Sequence, residues 1–528
     1  MSSCQVQPGL ASWLETMHRL DPVEELGGGP IEVKETHISL VLLGARRVLK
    51  LKKPVDFGFL DYSTLEKRKS ACQAEVRLNS RISPEMYIGV QPIRDEDGVP
   101  HLRFDGPVID YGVLMNRLPA DRMLDEMVRR GTVTTSIIDR LAGRLAGFHR
   151  TAHRGPEVDV FGSVSTVAGN WDENFEQTEP FVGRTIDEAT LAAIRGWVHE
   201  RLVADRTNFV RRVAEGRIVD GHGDVRCESV CLVNGVTIFD CIEFNERFRC
   251  GDAAAEIAFL AMDLDALGRP DLGYYAAERY QLYTGDPGLW RLLPFYRCYR
   301  AFVRGKVLSF RLDQPGVTAE ERDRAAARAT AFFELARRYA SRLVQPAVVL
   351  VAGRSGTGKT SLARAMASEL GLRVVSTDSV RAELFGERKG PAEFGQGVYT
   401  EAASDHTYRT LIARAEQIRG QNGSVILDGT FLKERYRAMA AEMAQRTGSQ
   451  LRVVECRLEP EQARERLRRR ALHDDGLSDA TWETHLRQQR EPPPSHAGPS
   501  WLSLDTTPTI AACSRTAADW LRQLERSG

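Results

Sequence analysis

Apolar and polar positions change period several times along the chain, and each change marks an element. Residues 346–352, PAVVLVA, form a short apolar, partly β-branched run, as in a strand buried on both faces. After it, Leu362, Met366 and Leu370 recur at helical spacing until Gly371 supplies a C-cap. Further apolar runs at 372–375, 425–427, 451–458 and 501–504 alternate with helical stretches, which predicts a doubly wound parallel sheet.

Upstream the pattern differs. A short helix is expected at 13–20, before the Gly27–Gly29 breaker. Runs at 37–43 and 48–52, joined by Gly44-Ala-Arg-Arg47, predict a hairpin. Ser63 and Glu66 read as a capping box opening a helix through Glu75 to about residue 81, ahead of Pro84. Ile137, Leu141, Leu145 and Phe148 give residues 132–154 one apolar helical face. Strands at 230–233 and 236–239 flank Asn234-Gly235, a strong hairpin signal. A long charged helix over 318–343 then leads to a boundary at Gln345-Pro346.

With 528 residues the chain should hold two to four domains. Its 72 basic and 72 acidic side chains cancel, so no global charge draws it to nucleic acid or anionic lipid. Nine cysteines, no charged-then-apolar leader and no long apolar run point to a reduced, soluble protein of the cytoplasm, with no membrane partner. Cys227, Cys231, Cys241 and Cys250 suggest zinc by spacing, but Cys231 falls in a strand pattern, so half-buried thiols are expected.

Chemistry concentrates first in Gly353-Arg354-Ser355-Gly356-Thr357-Gly358-Lys359-Thr360-Ser361. Its glycines allow backbone N–H groups to wrap a polyphosphate, Lys359 reaches the β and γ oxygens, and Thr360 can hold Mg²⁺. The helix that follows aims its N-terminus at the same phosphates. ATP and Mg²⁺ are therefore the expected cofactors. Strand C-termini gather ligands in such sheets, which brings Asp378 and Asp428 to the same crevice. Asp428 can orient Mg²⁺, while Asp378 with Arg381 could combine a base and an anion clamp.

The first half carries a second constellation. Lys50 and Lys52 project from one face of a strand, and Glu75 lies in the next helix, the arrangement kinases use to hold α and β phosphates. Charge guarding an edge strand is the plainer explanation for such lysines. Asp56-Phe57-Gly58 is a decoy for a kinase metal motif, because it precedes the catalytic loop. Asp224 lies just before the second hairpin and Asp240 just after it. A kinase needs one carboxylate to accept the acceptor's hydroxyl proton and a second to hold Mg²⁺. His149 is expected to pack or cap. Arg300 and Arg304 form either a solvated basic face or an anion site.

His222-Gly223-Asp224 with a hairpin and Asp240 is similar to the aminoglycoside phosphotransferase-like kinases. That resemblance implies Lys50 as the phosphate-pairing lysine, Glu75 as its partner, and His222 and Asp224 in the catalytic loop. Gly251-Asp252 and Glu256-Ile257-Ala258 resemble the segment that supports that loop. The family usually carries Asn, a metal ligand, five residues after the catalytic Asp, where this chain has Ser229. Ser229 could ligate weakly, Glu228 or Glu243 could substitute, or the domain could bind nucleotide with reduced turnover. Ser376-x-Asp378-x-x-Arg381 resembles P-loop kinases of the polynucleotide kinase and gluconate kinase kind. The basic stretch 463–470 is similar to their lid, which singles out Arg466 and Arg470.

Taken in order, the chain resembles a bacterial two-domain family of predicted kinases. The fold class implied is α/β and α+β: a bilobal protein-kinase-like domain at 1–344, with lobes near 30–115 and 116–344, then a P-loop kinase domain at 345–528. The expected function is a bifunctional ATP-dependent kinase acting on hydroxyls of small-molecule phosphate acceptors. A regulatory ATP-binding protein with one nucleotide-sensing domain is the alternative favoured by Ser229. A nucleic-acid end kinase is suggested by Asp378 and Arg381 but opposed by the neutral charge and the absence of an aromatic-basic strip. Neither the acceptors nor the oligomeric state can be read from the residues.

Overall fold

The computed structural model describes residues 9–58, 60–103, 105–314, 316–341, 346–386, 400–420, 424–473, 481–491 and 500–527. The chain divides into two compact units: residues 1–131, 144–166 and 209–256, and residues 132–143, 167–208 and 257–528. Residues 342–345 lie outside the described residues, and with them Gln345 of the expected Gln345-Pro346 boundary.

The first unit is built on a six-stranded antiparallel sheet. Its order is Glu32–Glu35, Ser39–Leu43, Arg47–Lys52, Val108–Asn116, Tyr87–Glu96 and Val99–His101. Side chains alternate across the pleat. Leu40, Leu42, Leu49, Leu51 and Ile93 share a core with Met17 and Leu26. Val48, Val113 and Met115 face the other way, against Cys72 of the helix Leu65–Asn79. Thr64, not Ser63, caps that helix, accepting from the Lys67 N–H. The Ser63 hydroxyl is drawn off to Asp61, 2.6 Å away.

Later in this unit, Ile218–Asp220 pairs antiparallel with Cys250–Asp252. Between them a 3-10 turn, Cys227–Ser229, leads into the second hairpin. That hairpin is shorter than its sequence suggests, pairing only Val230 with Ile238 and Cys231 with Thr237. Asn234 and Gly235 both take positive φ at its tip, as the dipeptide favours.

The second unit holds a five-stranded parallel sheet, ordered Arg373–Ser376, Val425–Asp428, Ala347–Gly353, Gln450–Arg457 and Trp501–Asp505. Ala347–Gly353 is buried at every position, which is why it reads as one unbroken apolar run. The helix Lys359–Leu370 covers one face through Leu362, Met366 and Leu370. Tyr408, Leu411, Ala440 and Met443 cover the other. Tyr274 and Trp290, from the helices Pro270–Thr284 and Leu289–Phe310, join the first of these cores. Arg297 also donates to the Ser368 carbonyl at 2.9 Å, a favourable place for a cation at the end of the P-loop helix. The helices of 257–341 and the P-loop sheet therefore share apolar and polar contacts.

The described cysteines are buried and unbridged. Among the described residues there is no group of three His, Cys, Asp or Glu that could hold a metal ion. No helix of the described residues is long and apolar enough to cross a membrane.

Candidate functional site

In the first unit, Lys50 Nζ lies 3.0 Å from Glu75 Oε1 and 2.7 Å from Asp240 Oδ1. Asp240 has φ of 66°, a left-handed conformation that costs a non-glycine residue about 1 kcal/mol or more. The Asp240 N–H donates to the Tyr87 hydroxyl at 3.2 Å, which helps to fix that turn. Burial works against the Lys50 charge, yet Asp240, Glu75 and Glu243 hold its pKa well above the ordinary value. The Lys50 charge in turn holds the Asp240 carboxyl down at about 2.

Sequence spacing left the two lysines equivalent; burial separates them. Lys52 is fully buried, bonded to Glu75 Oε2 at 2.6 Å and to Glu243. Tyr62 donates to the same Glu243 oxygen at 2.6 Å. Glu243, considered above as a metal ligand, is thus engaged in a buried ion network. We expect Lys52→Met, which leaves Glu75 with Lys50 and Glu243 with the Tyr62 hydroxyl but removes the cation between them, to destabilise the chain by about 3–5 kcal/mol in urea titrations. A loss below about 1 kcal/mol would show that the network contributes little.

The loop of His222 to Ser229 is held largely through its own main chain. Glu256 Oε1 accepts the N–H groups of His222 and Gly223, the latter at 2.6 Å, while Glu256 Oε2 meets His149 Nε2 at 2.6 Å. Burial raises the Glu256 carboxyl, but the His149 and His222 contacts and the Gly223 N–H outweigh it and bring the group to about 2. Gly223 is required here. Its φ is +85°, and a Cβ would lie 2.6 Å from the Phe248 carbonyl oxygen.

His222 is buried, with Nε2 3.0 Å from the Phe239 carbonyl and Nδ1 accepting from the Asp224 N–H at 3.3 Å. Burial lowers its pKa. Both ring nitrogens bond the main chain, so His222 braces the loop. Arg226 meets both oxygens of Asp224 at 2.7 Å and also pairs with Glu228. Ser229 is buried; its hydroxyl accepts from the Arg226 N–H and lies 2.9 Å from the carbonyls of Asp224 and Arg226. Its hydroxyl thus ties the two ends of this turn together. Arg226 was not singled out in the sequence, although its position two residues after Asp224 was a signal.

In the second unit the P-loop joins the central strand to its helix. Gly353, Gly356 and Gly358 all have positive φ, and a Cβ on Gly353 would lie 2.6 Å from the Cys456 carbonyl oxygen. Lys359 Nζ donates to the Arg354 carbonyl at 2.7 Å. The Thr360 hydroxyl donates to Asp428 Oδ2 at 2.7 Å. Among the described residues Asp428 Oδ1 is buried without a hydrogen-bond partner, and burial pushes the carboxyl up to about 6 despite Lys359 nearby. A buried carboxylate with one unsatisfied oxygen beside a hydroxyl is a donor set that suits Mg²⁺, which takes one or two protein oxygens together with phosphates and water.

Asp378 lies in the first turn of the helix Thr377–Phe385, which Ser376 caps, and Arg381 Nη1 is 3.1 Å from its carboxylate. Arg466 donates to the Thr506 carbonyl at 2.5 Å, and a Cβ on Gly358 would lie 3.1 Å from its Nη1. Arg466 therefore borders the P-loop. The Arg470 side chain lies outside the described residues. An open depression of about 370 Å³ beside Arg466 is lined by Gln462, Glu465, Arg469 and Thr507, among others. His485 and Gln488 also touch the P-loop, which the sequence did not single out. Arg300 lies over the Phe259 ring at 4.6 Å and Arg304 over Phe332 at 5.8 Å, so both arginines pack on aromatic faces.

Fold and site define a nucleotide-binding P-loop protein in this half of the chain, and residues 348–493 match the AAA domain family. The chain belongs to the family of the Mycobacterium tuberculosis protein named "Uncharacterized protein Rv2004c", with 36% identity over 460 residues, 86% of this chain and 88% of that one. Among solved structures, a gluconokinase from Sinorhizobium meliloti is 21% identical, covers 35% of this chain and 97% of its own, and has a TM-score of 0.26. A choline/ethanolamine kinase family protein from Mesorhizobium loti is 14% identical, covers 61% of this chain and 95% of its own, and has a TM-score of 0.38.

Proposed function

We propose that the chain is a kinase with two nucleotide sites, in domains at 1–344 and 345–528. Each site would move the γ-phosphoryl group of ATP to a hydroxyl of a small molecule. One observation carries the P-loop site: among the described residues Asp428 Oδ1 is buried with no hydrogen-bond partner, beside Thr360. Thr360 and Asp428 would hold Mg²⁺ there, and the bound ion would neutralise β and γ oxygens. Main-chain N–H groups of residues 354–361 and Lys359 bind the phosphate tail. Asp378 takes the acceptor's hydroxyl proton as its oxygen bonds to phosphorus and ADP leaves. Arg381 orients Asp378, while Arg466 and Arg470 stabilise charge on the transferring group. The depression beside Arg466 accommodates the nucleoside.

In the first unit Lys50, aligned by Glu75, holds the α and β phosphates, Asp240 holds Mg²⁺ and Asp224 takes the acceptor's proton. Arg226 releases Asp224 when a phosphate competes for its guanidinium. A nucleotide-sensing role for this unit is the second reading, favoured by the two-point hold of Arg226 on Asp224 and the engagement of the Ser229 hydroxyl. Labelled γ-phosphate should pass from ATP to two separable small-molecule products when the intact chain meets a metabolite library. Single-stranded oligonucleotides should take none, and label on no acceptor at all would contradict a kinase.

A further inference from the structure

The short helix Trp482–Gln488 closes on the P-loop at one residue, Ser355. Gln488 Oε1 accepts the Ser355 N–H at 2.8 Å, and His485 Nδ1 lies 2.7 Å from the Ser355 carbonyl. Both main-chain polar groups of that residue are thereby taken up by one helix. All three residues are buried: Ser355 is 7% exposed, His485 1% and Gln488 5%. A carbonyl only accepts, so Nδ1 carries the ring hydrogen. Gln489 Nε2 approaches the other ring nitrogen at 3.4 Å, and Trp482 stacks on the ring with centroids 4.9 Å apart at 15°. The ring has neither rotational nor tautomeric freedom.

Why the loop needs an outside hold follows from its inside ones. Lys359 Nζ and the Thr357 hydroxyl both donate to the Arg354 carbonyl, at 2.7 and 2.8 Å. An ammonium has three N–H donors, so as Lys359 turns to β and γ oxygens it can leave only part of its donor capacity on Arg354. Three left-handed glycines then leave little else to keep its N–H groups convergent. The Thr357 hydroxyl stays on Arg354, and further grips come from outside: His485 and Gln488 on Ser355, and Thr506, which donates to the Thr357 carbonyl at 2.8 Å.

We propose that His485 and Gln488 are positioning residues of the P-loop site. They would hold Ser355 so that the neighbouring N–H groups stay aimed at a nucleoside triphosphate's phosphates. Preorganised donors bind a developing or resident anion without reorganisation. The proposal rests on the P-loop being the nucleotide site.

The test uses the full chain, with a fluorescent ATP analogue and Mg²⁺, and follows the fraction of binding that Lys359→Ala removes. His485→Asn keeps a donor where Nδ1 stood; His485→Leu and Gln488→Met keep volume and remove the bond. The Leu and Met variants should bind about tenfold more weakly, in line with one buried hydrogen bond lost, and His485→Asn should recover most of that loss. Faster hydrogen exchange across residues 348–360 in Gln488→Met should accompany it. Equal affinity of His485→Asn and His485→Leu, or unchanged affinity in Gln488→Met, would overturn the proposal. If the wild-type chain shows no Lys359-dependent binding, the nucleotide site itself is refuted, a different result from binding that the helix variants leave intact.

Discussion

Lys359→Ala is expected to cut one of the two phosphorylation activities by about a thousandfold and to leave the other near its wild-type rate. The ammonium is the only P-loop side chain assigned to the β and γ oxygens. Removing one preorganised charge from a phosphoryl-transfer site costs about 3–4 kcal/mol of transition-state stabilisation. Stability should change little, because Lys359 is only part-buried and donates to a carbonyl in its own loop. Product-resolved assays with labelled ATP separate the two activities. Loss of both products together would mean that a single site does all the chemistry.

Asp224→Ala is expected to abolish the second product. A positioned general base contributes roughly a hundredfold to ten-thousandfold. This substitution also frees Arg226 from its two 2.7 Å contacts. Nucleotide affinity at that site should persist or rise slightly, since the freed guanidinium favours phosphate. The fall should therefore appear in kcat and not in the KM for ATP. Should every product survive Asp224→Ala unchanged, the first unit is a sensor and the alternative reading takes its place.

How much of this was legible in the sequence depended on how local each contact is. The P-loop was readable because strand, glycines, lysine and helix are contiguous, and because a fully buried parallel strand shows as unbroken apolar sequence. Lys50 and Lys52 shared a face by the two-residue period, but only the fold decides which one is buried. Lys52 closes a network with Glu75 and Glu243, and Lys50 reaches the part-exposed Asp240. The helix cap moved by one residue because Ser63 and Thr64 compete for the same role and Asp61 captures Ser63. His222 and Ser229 lay in the expected motif, yet the bonds of their side chains to the main chain are visible only in the fold. The contacts of His485 and Gln488 with Ser355 span 130 and 133 residues. No local pattern encodes pairs so distant; sequence could mark only two polar residues on one face of a short helix.

Two independent nucleotide sites on one chain are the central claim, and binding stoichiometry tests it most directly. Titration of the intact protein with ATP and Mg²⁺ in a calorimeter should give two nucleotides per chain, and the intact Lys359→Ala protein should retain one. A single nucleotide on the wild type, lost entirely on substituting Lys359, would contradict it.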